Sequence, residues 1–251
     1  MRRRDLTPLV AVLCFGLAGV ATAGALPKNI AAALADKGRP AADASRDPVR
    51  HPGELLAFAG VKPGARVADF IIGGGYFTRI LSVAVGPKGS VTAYQPAEFI
   101  QFEASYGVNL KTVSGAYANI KPMDSSLQAL DLPDGLDLVM TVQNYHDLHL
   151  KPFPADTAAK VNAEVFKSLK PGGVFLVVDH AALAGAGLGV ADTLHRIDIA
   201  DVKREVMAAG FKLEAESPML ANSTDPHTEN VFGPGIRGKT DQFILKFRKP
   251  K

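Results

Sequence analysis

Val67-Ala68-Asp69-Phe70-Ile71-Ile72-Gly73-Gly74-Gly75-Tyr76-Phe77-Thr78 is the stretch on which the fold turns. An apolar run ends in three glycines and passes directly into residues with helical spacing, which predicts a strand, a tight turn and a helix start. Gly73 to Gly75 have no Cβ, so a ligand can lie against bare backbone there. The helix that follows offers unpaired N–H groups to a polar or anionic ligand group. Asp69 sits near the strand's end, where a carboxylate can fix the turn or meet the ligand. Together these features read as a seat for a nucleotide-like cofactor.

Working outward, the 251 residues are 47% hydrophobic and 21% charged, a balance suited to one larger globular domain. The formal charge is +3, of which Arg2, Arg3, Arg4 and Asp5 supply +2. The remaining near-neutral balance gives no case for nucleic acid or for a membrane surface as partner. The basic start, the short apolar stretch Leu9 to Val20 and the small-x-small pattern Ala21-Thr22-Ala23 predict a cleavable signal peptide over residues 1–23. The apolar segment falls short of the roughly 20 residues of a spanning helix. The expectation is therefore an exported, periplasmic protein with no stable membrane insertion after cleavage. Arg3-Arg4-Asp5-Leu6 loosely resembles a twin-arginine signal. The one cysteine, Cys14, lies within that apolar stretch, so disulfides, thiol catalysis and cysteine metal sites are excluded from the mature chain.

Residues 24–63 read as a helical lead, with helices at Asn29 to Asp36 and Pro52 to Ala59, and residues 64–251 as the α/β domain. Within that domain strands and helices alternate. Strands are expected at Arg66 to Ile72, Ser90 to Gln95, weakly at Leu110 to Val113, then at Asp137 to Val142, Val174 to Asp179, Phe211 to Glu216 and Asp241 to Arg248. Helices are expected at Tyr76 to Val85, Pro96 to Tyr106, Asp156 to Leu169 and Asp198 to Ala209. Near-continuous apolar strands between amphipathic helices predict a doubly wound, mostly parallel seven-stranded sheet, its last strand antiparallel. Two long loops, 181–192 and 218–239, have the length of lids or binding loops.

Five blocks then fall in one order: the glycine turn, Val85-Gly86-Pro87-Lys88-Gly89-Ser90-Val91, Leu132-Pro133-Asp134-Gly135-Leu136-Asp137-Leu138-Val139, Leu169-Lys170-Pro171-Gly172-Gly173 and Ala208-Ala209-Gly210-Phe211. This order resembles the class I S-adenosylmethionine-dependent methyltransferases, and looks most like a branch of predicted exported methyltransferases. The resemblance runs from about Pro52 to Lys249 and implies a Rossmann-like methyltransferase fold, S-adenosyl-L-methionine as cofactor and a small-molecule acceptor. It puts Asp69, Gly73 and Gly75 on the methionine side of the cofactor, with Tyr76, Phe77 and Thr78 opening the helix beside it. Gly74 and Asn144 complete the candidate contacts. Two positions depart from the family pattern. Ile71 stands where a glycine is common. Gln95 stands where a carboxylate commonly takes the ribose hydroxyls, with Glu98 three residues on as a substitute; Asp124 is the nearest candidate for the adenine side. A nicotinamide-binding reading of the glycines would want a third glycine where this chain has Thr78.

Chemistry is expected beyond the fourth and fifth strands, because ligands of open α/β sheets sit past the carboxyl ends of the strands. Asn144-Tyr145-His146-Asp147-Leu148-His149 and Asp179-His180 meet that rim. His146 or His180 would serve as base, Asp147 or Asp179 would orient it, and Tyr145 belongs to the same set. Two other readings stay open: a metal held by His146, His149 and Asp179 or His180, and a non-catalytic exported binding module on the same scaffold. His195-Arg196 reads either as part of a lid or as a solvated helix start. His227 reads as exposed.

Overall fold

The computed structural model describes residues 25–251; the signal-peptide reading and Cys14 lie outside them. Four helices lead in: α1 (Lys28–Leu34), α2 (Ala41–Ala44), α3 (Asp47–Arg50) and α4 (Pro52–Ala59). Then follow β1 (Arg66–Phe70), α5 (Tyr76–Val85), β2 (Ser90–Tyr94), α6 (Ala97–Phe102), α7 (Ser105–Ala116) and β3 (Ile120–Met123). The chain continues through β4 (Leu136–Val142), α8 (Thr157–Ser168), β5 (Leu169–His180), α9 (Val190–Leu194), α10 (Ile199–Ala208), β6 (Lys212–Ser217) and β7 (Gln242–Arg248). Short 3-10 turns lie at Leu127–Ala129 and His146–His149.

The seven strands form one sheet in the order β3-β2-β1-β4-β5-β7-β6. β1 to β5 run parallel, and β7 is antiparallel to both β5 and β6. The order reverses between β1 and β4, which opens a crevice at their carboxyl ends. Alternate residues of each central strand feed opposite faces, which is why those strands read as unbroken apolar runs. Val67, Leu138, Met140, Leu176 and Val178 join one core with Ile30, Leu55, Leu56, Ile80 and Leu81 from α1, α4 and α5. Ala68, Val139, Phe175 and Val177 join the other with Val161, Val165, Val202 and Val206 from α8 and α10.

The weak strand expected at Leu110 to Val113 is not a strand. It lies within α7, where Leu110 and Val113, three residues apart, form the buried side of a helix. The third strand is Ile120–Met123, an edge strand carrying Lys121 and Pro122, whose polar and proline content hid it. The single helix expected from Pro96 to Tyr106 is two, α6 and the start of α7. Pro171-Gly172-Gly173, a turn by composition, is absorbed into the amino end of β5 as an irregularity in its register with β4, with Gly172 at φ +79°.

The lead is clamped onto the body. Asn29 donates to the Ala84 carbonyl at 3.0 Å. Asp47 takes a two-pronged bond from Arg39 (2.9 and 2.6 Å) and the Tyr76 hydroxyl (2.6 Å). At the far end, buried Arg196 holds Asp225 through two bonds of 2.8 and 3.0 Å and donates to the carbonyls of Ala181 and Glu229. One guanidinium thus ties together the two long loops, and the solvated-helix-start reading of Arg196 is wrong: it is fully buried. His227 is half-buried rather than exposed, bonded to Asp241 at 2.9 Å.

Candidate functional site

A cavity of about 1090 Å³ opens beyond the carboxyl ends of β1, β4 and β5, roofed by α2 and α3 on one side and by the two long loops on the other. That is the place where open α/β sheets bind ligands, and the volume is at the upper end of what ligand pockets span, about 300–1,000 Å³.

One wall is main chain. Ile71 and Ile72 donate their N–H groups to the Tyr94 carbonyl at 2.9 and 3.1 Å, so the turn hangs from β2. Gly73 and Gly75 adopt φ of +55° and +76°, a region that favours glycine. Among the described residues a Cβ on Gly73 or Gly74 would meet nothing within 4 Å, so open space lies in front of both. A Cβ on Gly75 would press on Val113 and Arg79 at 3.1 and 3.2 Å. Gly75 is therefore needed by the fold, whereas Gly74 leaves room for something else. Ile71 explains its own departure from the family pattern: its φ is +69°, the conformation a glycine takes freely. For a β-branched residue this costs about 1–3 kcal/mol, offset by a side chain only 4% exposed in the second core.

Asp69 lies beneath the turn and accepts the Thr78 hydroxyl at 2.6 Å and the Thr78 backbone N–H. Burial pushes its carboxyl up to about 6, against the pull of Thr78 and of the Arg50 guanidinium. Arg50, from α3, stacks over Tyr76 and Phe77 at 4.4 and 5.0 Å and donates to Gln143 at 3.2 Å. Burial, and then the neighbouring Arg46, push it down to about 10.

The opposite wall is side chain. Asp179, fully buried at the end of β5, receives the His146 ring Nδ1 at 2.8 Å and its backbone N–H at 2.7 Å, together with the His180 N–H at 2.8 Å. The other ring nitrogen of His146, Nε2, lies 3.2 Å from Asp147, whose second oxygen is held by Asn144. Burial opposes a charge on His146, but the two carboxylates outweigh it and push the imidazole up to about 10. His180, 6.1 Å away ring to ring, goes the other way. Its Nδ1 meets the Thr240 hydroxyl at 2.7 Å, and burial pushes it down to about 4. His195, at the end of α9, stands edge-on to His146 at 5.4 Å, and burial lowers it.

Among the sequence candidates, Asp69, Gly73, Gly74, Tyr76, Glu98, Asn144, His146, Asp147 and His180 line the cavity. Gly75 and Thr78 lie behind that surface. Glu98 spends its carboxylate on Ser126 and the Leu127 N–H. Gln95 is fully buried; its amide oxygen accepts the Gly73 N–H at 3.0 Å and its amide nitrogen has no partner among the described residues. Asp124 is exposed and does not line the cavity. Tyr145 turns into the second core, where its hydroxyl bonds Glu205 and Asn162. His149 bonds the same Glu205 at 3.0 Å. The proposed grouping of His146 with His149 and His180 around a metal is thus not assembled, because each ring faces a different partner. Arg50 and Gln143 line the cavity without having given any sign in the sequence; Asp192, which also lines it, was marked only by the length of its loop.

No family model and no curated protein matches the chain. Solved structures do. A methyltransferase from Aquifex aeolicus, described as dependent on S-adenosylmethionine, is 19% identical with a TM-score of 0.57, covering 86% of this chain and 97% of that one. A putative sarcosine dimethylglycine methyltransferase from Galdieria sulphuraria is 18% identical with a TM-score of 0.58, covering 83% and 88%. Aeropyrum pernix fibrillarin, with natively bound S-adenosyl-L-methionine, is 17% identical with a TM-score of 0.50, covering 77% and 73%. With its strand order, its antiparallel last strand and its crevice beyond β1 and β4, the chain shares the Rossmann-like fold of the methyltransferases.

Proposed function

We propose that the protein is an S-adenosylmethionine-dependent methyltransferase acting on a small acceptor. One observation carries the reading: a glycine wall with empty space before Gly73 and Gly74 faces, across a single cavity, a buried cluster of imidazoles and carboxylates. When bound, the cofactor supplies an electrophilic methyl group on a sulfonium. The chain's own residues do the rest. Gly73 and Gly74 admit a nucleoside against the backbone, and Asp69 offers a carboxylate to its cationic end. Tyr76 and Phe77, covered by Arg50, close the floor on that side and exclude water. Asp147 and His195, on the far wall, accept hydrogen bonds from an acceptor's hydroxyl or amine and align it.

The test is calorimetry with S-adenosylhomocysteine at up to millimolar ligand, on wild type and on Gly74→Val. Binding by the first and its loss in the second supports the reading; no heat from wild type overturns it. Gln95 favours a second reading, a binding module without transfer, because its amide oxygen is already committed to Gly73. Cofactor retained with no methyl transferred to a cell-envelope extract would select that one. The basic, apolar and small-residue pattern of residues 1–23 supports work outside the cytoplasm. The mature N-terminus, read by mass spectrometry, tests it.

A further inference from the structure

The structure assigns a divalent transition-metal site to His146, Asp147 and His195, and we propose that this ion stands on the wall of the cavity opposite the glycine turn. Each of the three offers one ligand atom, and these atoms all lie within 4.8 Å of one another. His146 Nε2 and Asp147 Oδ1 are already 3.2 Å apart. Ligands at about 2.0–2.2 Å from a metal sit roughly 3–4 Å from each other, so closing the set around an ion needs only a small movement of His195.

Three features make this more than a proximity. First, the rings and carboxylate are aimed. Asp179 binds His146 through Nδ1 and so leaves Nε2 facing the cavity, the carboxylate–histidine arrangement that orients metal-bound imidazoles. Asn144 holds one oxygen of Asp147 and leaves the other on the His146 side. Second, the charge fits. Without metal His146 carries a proton between Asp147 and Asp179; a ligating imidazole must give it up, and the two neutral imidazoles with the two carboxylates then carry −2, which a divalent ion neutralises. Asp192, another acid on the cavity lining, is engaged by Lys151 at 2.9 Å. Third, His195 holds a left-handed φ of +54°, unusual for a residue other than glycine, and its ring is wedged between His146 and Phe232 at 5.4 and 4.9 Å.

Two imidazoles and one carboxylate suit iron, zinc or manganese and leave coordination positions open. With the ion bound, Asp147 and His195 align the acceptor through it rather than directly: those positions face the cavity, where an acceptor bearing an oxygen donor can complete the shell. The site does not rest on the methyltransferase reading, and it uses a different set of residues from His149 and His180.

The experiment uses untagged protein stripped with chelator and titrated with Zn²⁺ by calorimetry and with Co²⁺ by visible absorption. One equivalent of Zn²⁺ at micromolar or tighter Kd, with d–d bands from Co²⁺, is expected. Asp147→Asn and His195→Gln should each weaken Zn²⁺ at least tenfold, and Asp179→Asn about 10–100-fold. His149→Gln should change nothing. Melting curves of the metal-free variants check that each is folded, and His195→Gln, at a partly exposed position, is the variant least able to fail on that ground. Absence of stoichiometric binding overturns the proposal. So does binding that survives both Asp147→Asn and His195→Gln. Homocysteine-nucleoside binding by the stripped protein is measured in parallel, so failure of the metal site and failure of the cofactor reading are told apart.

Discussion

The two walls of the cavity are made of different material. The glycine wall is local: Asp69 to Thr78 are consecutive residues, its shape is set by backbone torsions, and its hydrogen bonds run mainly to the neighbouring strand β2. The imidazole wall is assembled from afar. Asp179, His146 and His195 come from β5, the turn after β4 and the end of α9, and Arg196 locks the last of these in place from within the protein. A local wall tolerates change except where a torsion or a close contact forbids it. A distributed wall depends on the links that bring its parts together.

The largest expected effect therefore falls on a link, far from any ligand. Asp225→Ala strands the Arg196 guanidinium at a site where both side chains are 0% exposed. Removing one partner of a buried pair costs about 3–5 kcal/mol, and Asp225 also accepts the N–H groups of His227 and Asp241. Urea unfolding should show a loss of that size. A change under about 1 kcal/mol would break the contrast drawn here, since the long loops would then stand without their tie.

Next comes the glycine that the fold itself requires. Gly75→Ala places a Cβ at φ +76° and against Val113, for a loss of about 1–3 kcal/mol in the same assay. Gly74→Ala, one residue away, meets open space at an ordinary φ and should stay within about 0.5 kcal/mol of wild type. Gly74→Val sharpens the comparison further. Stability should hold while affinity for S-adenosylhomocysteine falls about tenfold or more, an effect worth about 1.4 kcal/mol. Equal stability losses at Gly74 and Gly75 would mean that both glycines serve the fold alone.

This difference also explains what could be read in the sequence. The strand-turn-helix of the glycine wall is contiguous, so its apolar run and three glycines announced it, and with it the sheet. The parallel run of strands followed from alternation, and β7 was legible as an antiparallel closing strand because no helix separates it from β6. β3 was hidden because an edge strand needs little apolar pattern, and Lys121-Pro122 supplied less. At the other wall, proximity in sequence misled. Tyr145 to His149 form a tight turn, so neighbours point apart: His146 toward the cavity, Tyr145 and His149 toward Glu205. His195 reads in the sequence as part of a lid or as a solvated helix start, because nothing local to it indicates that α9 delivers its ring to His146. Arg50 was not named at all, since its role depends on α3 folding back over Tyr76.

The smallest expected effect concerns Asp69, the one carboxylate of the glycine wall. Burial raises its pKa from 3.8 to about 6 in the folded chain, with Arg50 and Thr78 as the groups that face it and pull the other way. Below about pH 4 the carboxyl is protonated folded or unfolded and contributes no pH dependence. Between about 4 and 6 the folded state holds the extra proton, so stability falls as pH rises, and above 6 the cost of a buried charge is fully present. Asp69→Asn should remove that slope. Ligand binding runs in the opposite sense. A cationic ligand group needs the ionised form, so affinity for S-adenosylhomocysteine should fall as pH drops through 6, by less than about tenfold at pH 5. Calorimetry at pH 5, 6 and 7 on wild type and Asp69→Asn reads both quantities. If affinity is flat across that range while the stability slope is present, Asp69 serves only to pin the helix through Thr78, and the glycine wall binds its ligand by shape rather than by charge.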